Sequence, residues 1–160
     1  MVHYRVYLSS TRNVNAPFQN WKQEVYDEVN AQPFFKEGNA VVTFTDPLLF
    51  HSNRNPVVVQ ADTENIDIAN VVFFCIDEVT IGTIMELAYS SLMYPDQQMR
   101  YIITQSQYVA GHSWIKNLTR ECPFGATHFG RVTLCTTPSE AVAAFVRDIT
   151  KEAKDTETVQ

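Results

Sequence analysis

Positive charge is scarce in this chain: 12 basic residues stand against 18 acidic ones, for a formal charge of -6. A grip on polymeric nucleic acid needs a surplus of lysine and arginine on one face, so that class of partner is not expected and a small ligand is. No apolar run approaches the about 20 residues that span a bilayer, and no charged and apolar leader precedes Tyr4. The expectation is a cytoplasmic protein with no membrane partner. Cysteine is limited to Cys75, Cys122 and Cys135. The number is odd, the spacing wide, and two of them lie inside apolar runs, which reads as buried free thiols in a reducing compartment. The four histidines, His3, His51, His112 and His128, have no ligand spacing and no H-E-x-x-H arrangement, so no metal is implied. Glycine-rich phosphate loops are missing too. The first strand leads into S-S-T-R instead of G-x-G-x-x-G, which removes the dinucleotide fingerprint, and no cofactor is expected.

What is present is enough apolar residue, 45% of 160, for one self-sufficient core. A single catalytic domain is expected over residues 1–151, followed by a charged tail over 152–160 that frays. Residues 4–8 read as a strand, and an amphipathic helix is expected from Asn15, with Pro17 in its first turn and Trp21, Val25 and Val29 four apart, to about Asn30. Residues 41–45 read as a strand and 46–56, with two prolines, as a loop. The island 57–59 has no clear class, whereas 62–69 fits a short helix. Residues 71–76, Val-Val-Phe-Phe-Cys-Ile, are apolar on both faces, the pattern of a central parallel strand. Ile84, Leu87, Ala88, Ser91 and Leu92 then recur at helical spacing. A strand over 99–104, a loop from Gln105, a short helix over 114–120 and a strand over 131–134 follow. Thr137 or Ser139 can cap a last helix with Val142, Phe145, Val146 and Ile149 on one stripe. The result is an α/β fold: a three-layer open sheet of about five strands, mostly parallel, of flavodoxin or Rossmann type.

In such a sheet ligands sit at the carboxyl ends of the strands, near a change in strand order. Tyr7, the segment from Ser9 to Arg12, the segment after Thr45, residues 77–83 and the segment after Thr104 all reach that edge. Acids collect beside it: Asp62, Glu64 and Asp67 before the central strand, Asp77 behind it, and Glu86 in what reads as the first turn of the next helix, where the helix field keeps a carboxylate ionised. Gly82 and Thr83, expected just before that helix, let the backbone approach a ligand. Glycosidic cleavage calls for two such acids, one facing the anomeric carbon and one handling the base nitrogen. The same residues have plainer readings. Glu86 can be a dipole partner, Asp62 a helix cap, Asp67 a solvent-facing residue and Asp77 a loop carboxylate. Ser9, Ser10, Thr11 and Arg12 can hold a 5'-hydroxyl or 5'-phosphate, or simply form a turn. Phe18, Trp21, Phe44, Phe50 and Trp114 can stack a base or fill the core.

Four segments, V-Y-L-S-S at 6–10, W-K-Q-E-V around Trp21, D-T-E-N-I-D-I-A-N-V-V at 62–72 and G-T-I-M-E-L-A-Y at 82–89, together resemble the nucleoside 2-deoxyribosyltransferase superfamily, which includes 2'-deoxynucleoside 5'-phosphate N-hydrolases. The resemblance implies that Glu86 is the nucleophile attacking C1' of a 2-deoxyriboside, that Tyr7 orients it, and that Asp62 contacts the base. It also implies a homodimer or larger homo-oligomer in which one subunit completes its neighbour's pocket. Substrate contacts fall to Ser9, Ser10, Arg12, Trp21, Asp77, Gly82 and Thr83. Two positions depart from the pattern. Thr80 stands where the family often has aspartate, so that either Asp77 or Glu78 substitutes or the contact is missing. The partner-subunit asparagine has no match in A-G-H-S-W, Asn117 being a nearby candidate. The activity so implied is transfer of a deoxyribosyl group between nucleobases, with hydrolysis of a deoxynucleotide, or nucleotide binding without catalysis, as alternatives.

Overall fold

The computed structural model describes residues 1–10, 14, 16–45, 58–77, 80–119 and 131–158; Arg12, Phe50, Glu78, Cys122 and the expected loop over 46–56 lie outside them. Among the described residues five strands, β1 (Val2–Ser9), β2 (Ala40–Thr45), β3 (Val71–Cys75), β4 (Met99–Ile103) and β5 (Thr133–Cys135), form one sheet in the order β2-β1-β3-β4-β5. Every pairing is parallel. This is the doubly wound order of flavodoxin-like sheets, whose chain reverses direction of travel between β1 and β3.

Strand parity divides the core in two. Tyr4, Val6 and Leu8 of β1 and Val71, Phe73 and Cys75 of β3 face the layer built from α1 (Trp21–Ala31) and α7 (Pro138–Thr158), with Phe145 of α7 edge-on to Tyr4 and Phe73. Tyr7, Val72, Phe74 and Ile102 face the opposite layer, α3 (Val58–Ile68), α4 (Ile81–Met93), α5 (Gln107–Gly111) and α6 (Ser113–Thr119). β3 is buried along its whole length, which is why its sequence is apolar on both faces. A one-turn helix, α2 (Pro33–Lys36), opens on a proline whose missing N–H costs nothing in the first helical turn.

Several boundaries depart from the sequence expectation. α1 starts at Trp21 and not at Asn15, because residues 16–20 are spent on turns and Pro17 sits in them. Its buried stripe is Trp21, Val25 and Val29, as expected. The island at 57–59 belongs in part to α3, which begins at Val58, so Asp62 lies inside that helix and is not its cap. α5 occupies part of the expected loop after Gln105. Thr137 caps α7, its hydroxyl accepting from the Glu140 amide at 3.1 Å. That helix continues to Thr158 where a fraying tail was expected.

At the amino edge of the sheet polar side chains, exposed around Asn70 and buried around Arg100, lock helix ends to strands. The Asn70 side chain accepts from the Arg5 amide (2.7 Å) and donates to the His3 carbonyl (3.0 Å), tying the start of β3 to β1. Arg100, at the start of β4, is 2% exposed. Its guanidinium donates to the Ser90 hydroxyl (2.8 Å), to the carbonyls of Ser90 (2.5 Å) and Gln98 (2.9 Å), and to that of Tyr94. Cationic donors thus meet backbone carbonyls at the carboxyl end of α4, as a second partner in the case of Ser90, whose carbonyl also accepts from the Tyr94 amide. Gln98 serves α3 the same way, donating to the carbonyls of Ile66 (2.6 Å) and Ala69 (2.9 Å).

Candidate active site at the carboxyl edge

The strand parity that buries Tyr7 against α3 and α4 also turns Ser9, two residues on, toward the same layer. Both are fully buried, and register sets Tyr7 beside Val72 and Ser9 beside Phe74 of β3. Glu86 comes to them from α4. The Ser9 hydroxyl donates to Glu86 Oε2 at 2.5 Å, the short distance typical of a hydroxyl bonded to a carboxylate. The Tyr7 hydroxyl lies close enough to Glu86 to favour its ionised form, and the ammonium of Lys22, in the first turn of α1, acts in the same sense. Asp62, half-buried in α3 with its Oδ1 shielded from solvent, is near enough to act in the opposite sense. Tyr7, Ser9, Asp62, Lys22 and Glu86, from four separate elements, thus share one electrostatic neighbourhood at the switch point of the sheet.

The balance there differs from the sequence expectation. Glu86 is the sixth residue of α4, in its second turn, and the first turn carries no acid. The helix field, which fades within the first turn, is not what governs it. Burial governs it, pushing its pKa up to about 7; the neighbouring Asp62 charge adds to the rise, while Ser9, Tyr7 and Lys22 oppose it. The carboxyl therefore exchanges its proton near neutrality instead of being held ionised.

Ser10 follows Ser9 at the end of β1 and is half-buried, its hydroxyl accepting from the Trp21 indole N–H at 3.3 Å. Lys22 sits 5.9 Å over the Trp21 ring. Two substrate-contact expectations change as a result. Ser9 does not offer its hydroxyl to a 5'-phosphate, because that hydroxyl is committed to Glu86 beneath the surface. Trp21, 1% exposed, is a core residue that supports Ser10, and no open face of its ring is available for stacking. Phe18 is likewise core, Phe44 tilts against Tyr26, and Trp114 is the exposed aromatic of that set among the described residues.

Asp77 lies just after β3, half-buried, where its charge adds to the burial that pushes the Cys75 thiol up to about 12. Gly82 and Thr83 are the second and third residues of α4, inside the helix and not before it; Gly82 is open to solvent and Thr83 is buried. Thr80 precedes α4 without a side-chain cap bond. Asn117 is exposed on α6. Asp67 is exposed at its helix end and accepts from the Tyr89 (2.7 Å) and Tyr94 (2.6 Å) hydroxyls, away from the Glu86 group. Sequence reading missed Lys22, whose only signal is adjacency to Trp21. The pairing of Ser9 with Glu86 had a usable one, since residues two apart on a strand share a face.

A separate apolar cavity of about 350 Å³ lies among α4, α5 and α6, walled by Ile84, Leu87, Val109, Trp114, Ile115 and Leu118; Glu86 does not line it. Among the described residues, no group of three or more histidine, cysteine or acidic side chains is placed to hold a metal, and no helix is long and apolar enough to cross a membrane. Comparisons with family models, with curated proteins and with solved structures find no match to this chain.

Proposed function

We propose that the chain is a nucleoside 2-deoxyribosyltransferase, cleaving the N-glycosidic bond of a 2'-deoxynucleoside and passing the sugar to another nucleobase. The observation that carries this reading is the convergence of Tyr7, Asp62 and Glu86 at the switch point, the three residues to which the motif resemblance gives chemical roles. Ionised Glu86 attacks C1'; the C1'–N bond breaks with its electron pair on the base nitrogen, which takes a proton from Asp62 in the acid form that the substrate-bound site requires. The acceptor base then attacks C1' through a nitrogen, yields its proton to Asp62 and releases Glu86 as carboxylate. A raised carboxyl suits the first half, because a carboxylate that is costly in its pocket gains by bonding to C1'. The test is incubation of the protein with each deoxynucleoside and a second free base; exchanged nucleoside is expected, and neither exchange nor free base across the panel overturns the reading.

Hydrolysis of deoxynucleoside 5'-phosphates is the second reading, favoured by one observation: Lys22 places a cation beside Glu86 and Ser10, where a phosphate gains a charge-assisted contact. Strong preference for monophosphates with free base as sole product selects it. Nucleotide binding without turnover is what remains if deoxynucleotides bind and stay intact.

The homo-oligomer belongs to the same proposal. On the outer side of α4, Ile81, Met85, Leu92 and Met93 are each more than half exposed, an apolar surface that suits a second copy. Tyr89 and Tyr94 of the same stretch pack in part against the chain's own core. Sedimentation equilibrium is expected to give a dimer or a larger closed assembly, and a monomer removes this part of the proposal.

A further inference from the structure

We infer that Ser9, beside Tyr7, orients the Glu86 carboxylate, holding Oε2 and presenting Oε1 as the attacking atom. This deepens the deoxyribosyl reading and rests on it for the identity of the reaction, though not for the contact itself. The two oxygens of a carboxylate are equivalent until something distinguishes them. Here the Ser9 hydroxyl donates to Oε2 at 2.5 Å, from a residue with no exposed surface at the end of β1. Its backbone is fixed by parallel pairing with β3 on one side. A donor so placed cannot follow the substrate, and the carboxylate it holds keeps one rotamer. Tyr7 approaches Glu86 from the same strand and Lys22 from α1, while Asp62 faces it from α3. Ser9 is thereby a positioning residue.

The consequence reaches both half-reactions. When Oε1 bonds to C1', Oε2 becomes the carbonyl oxygen of the ester, and the Ser9 hydroxyl stays on it. When the acceptor attacks C1', the electron pair of the breaking C1'–O bond returns to the carboxylate, and the same hydroxyl receives the growing charge on Oε2. Ser9 therefore assists departure of Glu86 from the sugar without itself gaining or losing a proton.

The test is Ser9→Ala, with Ser9→Cys beside it to keep side-chain volume and a weak donor should the alanine variant fold poorly. The readout that needs no substrate is the ¹³C shift of the Glu86 carboxyl through a pH titration, assigned by its absence in Glu86→Gln. Loss of one donor to the charged form is expected to raise the midpoint by about one pH unit or more, with the cysteine variant between. In turnover, kcat is expected to fall about 10- to 100-fold with KM within about threefold, and the acid limb of the pH profile to move up with the titration. An unchanged midpoint in both variants overturns the inference, as does a loss confined to KM. If the wild type turns over no deoxyriboside yet the midpoint rises, the Ser9 contact stands and the deoxyribosyl reading fails.

Discussion

The two ends of helix α4 treat a buried charge in opposite ways. At its carboxyl end the Arg100 guanidinium is surrounded by acceptors, and burial lowers its pKa only to about 10, so it remains a cation at neutral pH. Toward its amino end Glu86 has one short bond from Ser9, a like charge nearby in Asp62, and a pKa pushed up to about 7. A buried charge with its hydrogen bonds made is a structural element. One that shares its surroundings with a like charge changes state near neutrality, the condition expected of a group that does chemistry.

Glu86→Gln breaks this comparison hardest. If Glu86 is the nucleophile, turnover falls by orders of magnitude, about 10³ or more, with deoxynucleoside binding retained. Stability moves the other way and depends on pH. Because the folded carboxyl titrates above its ordinary value, its favourable contribution is complete below about pH 4.5 and is lost as pH rises through about 7. The glutamine variant lacks that loss, so it should match the wild type near pH 4.5 and exceed it at pH 8, by about 3 kcal/mol at most. Urea unfolding of both proteins at several pH values checks this. Parallel curves across the range would show that burial does not strain Glu86.

How much of this was legible in the sequence follows from the range of the forces involved. The class of the fold was open to view because six consecutive apolar residues, Val71 to Ile76, have no economical place except a strand covered on both faces. Trp21, Val25 and Val29 likewise announced a buried helical stripe. The start of that helix was not legible, since Asn15 and Pro17 obey the local grammar of a helix start that the turns at 16–20 override. Five residues ending in Gly111 carry no period at all, so α5 was hidden. At the site, Glu86, Asp62 and Tyr7 were identifiable as candidates by residue type and position. Their environment was not, because burial and the approach of Ser9, 77 residues away in sequence, exist only once the sheet has formed.

The finest test of the comparison makes one substitution, serine to alanine, at both ends of α4's reach. Ser90 is fully buried; its hydroxyl accepts from Arg100 Nε at 2.8 Å and donates to Gln98 Oε1 at 2.7 Å. Ser90→Ala strips a charged donor and an amide acceptor of partners where water has little access, at an expected cost of about 2 kcal/mol. Arg100 is cationic throughout pH 5 to 8, so that cost should be flat across the interval. Ser9→Ala removes a donor whose value depends on whether Glu86 is ionised. Its cost should be small at pH 5, where the carboxyl is protonated, and grow as pH rises through the titration of Glu86, because the variant's folded carboxyl titrates higher still and loses more stability on ionising. Chemical denaturation of both variants at pH 5 and pH 8 separates the cases. A Ser9→Ala cost that ignores pH would reduce the carboxyl edge to a second structural lock, and a Ser90→Ala cost that tracks pH would show that the amino edge is not saturated either.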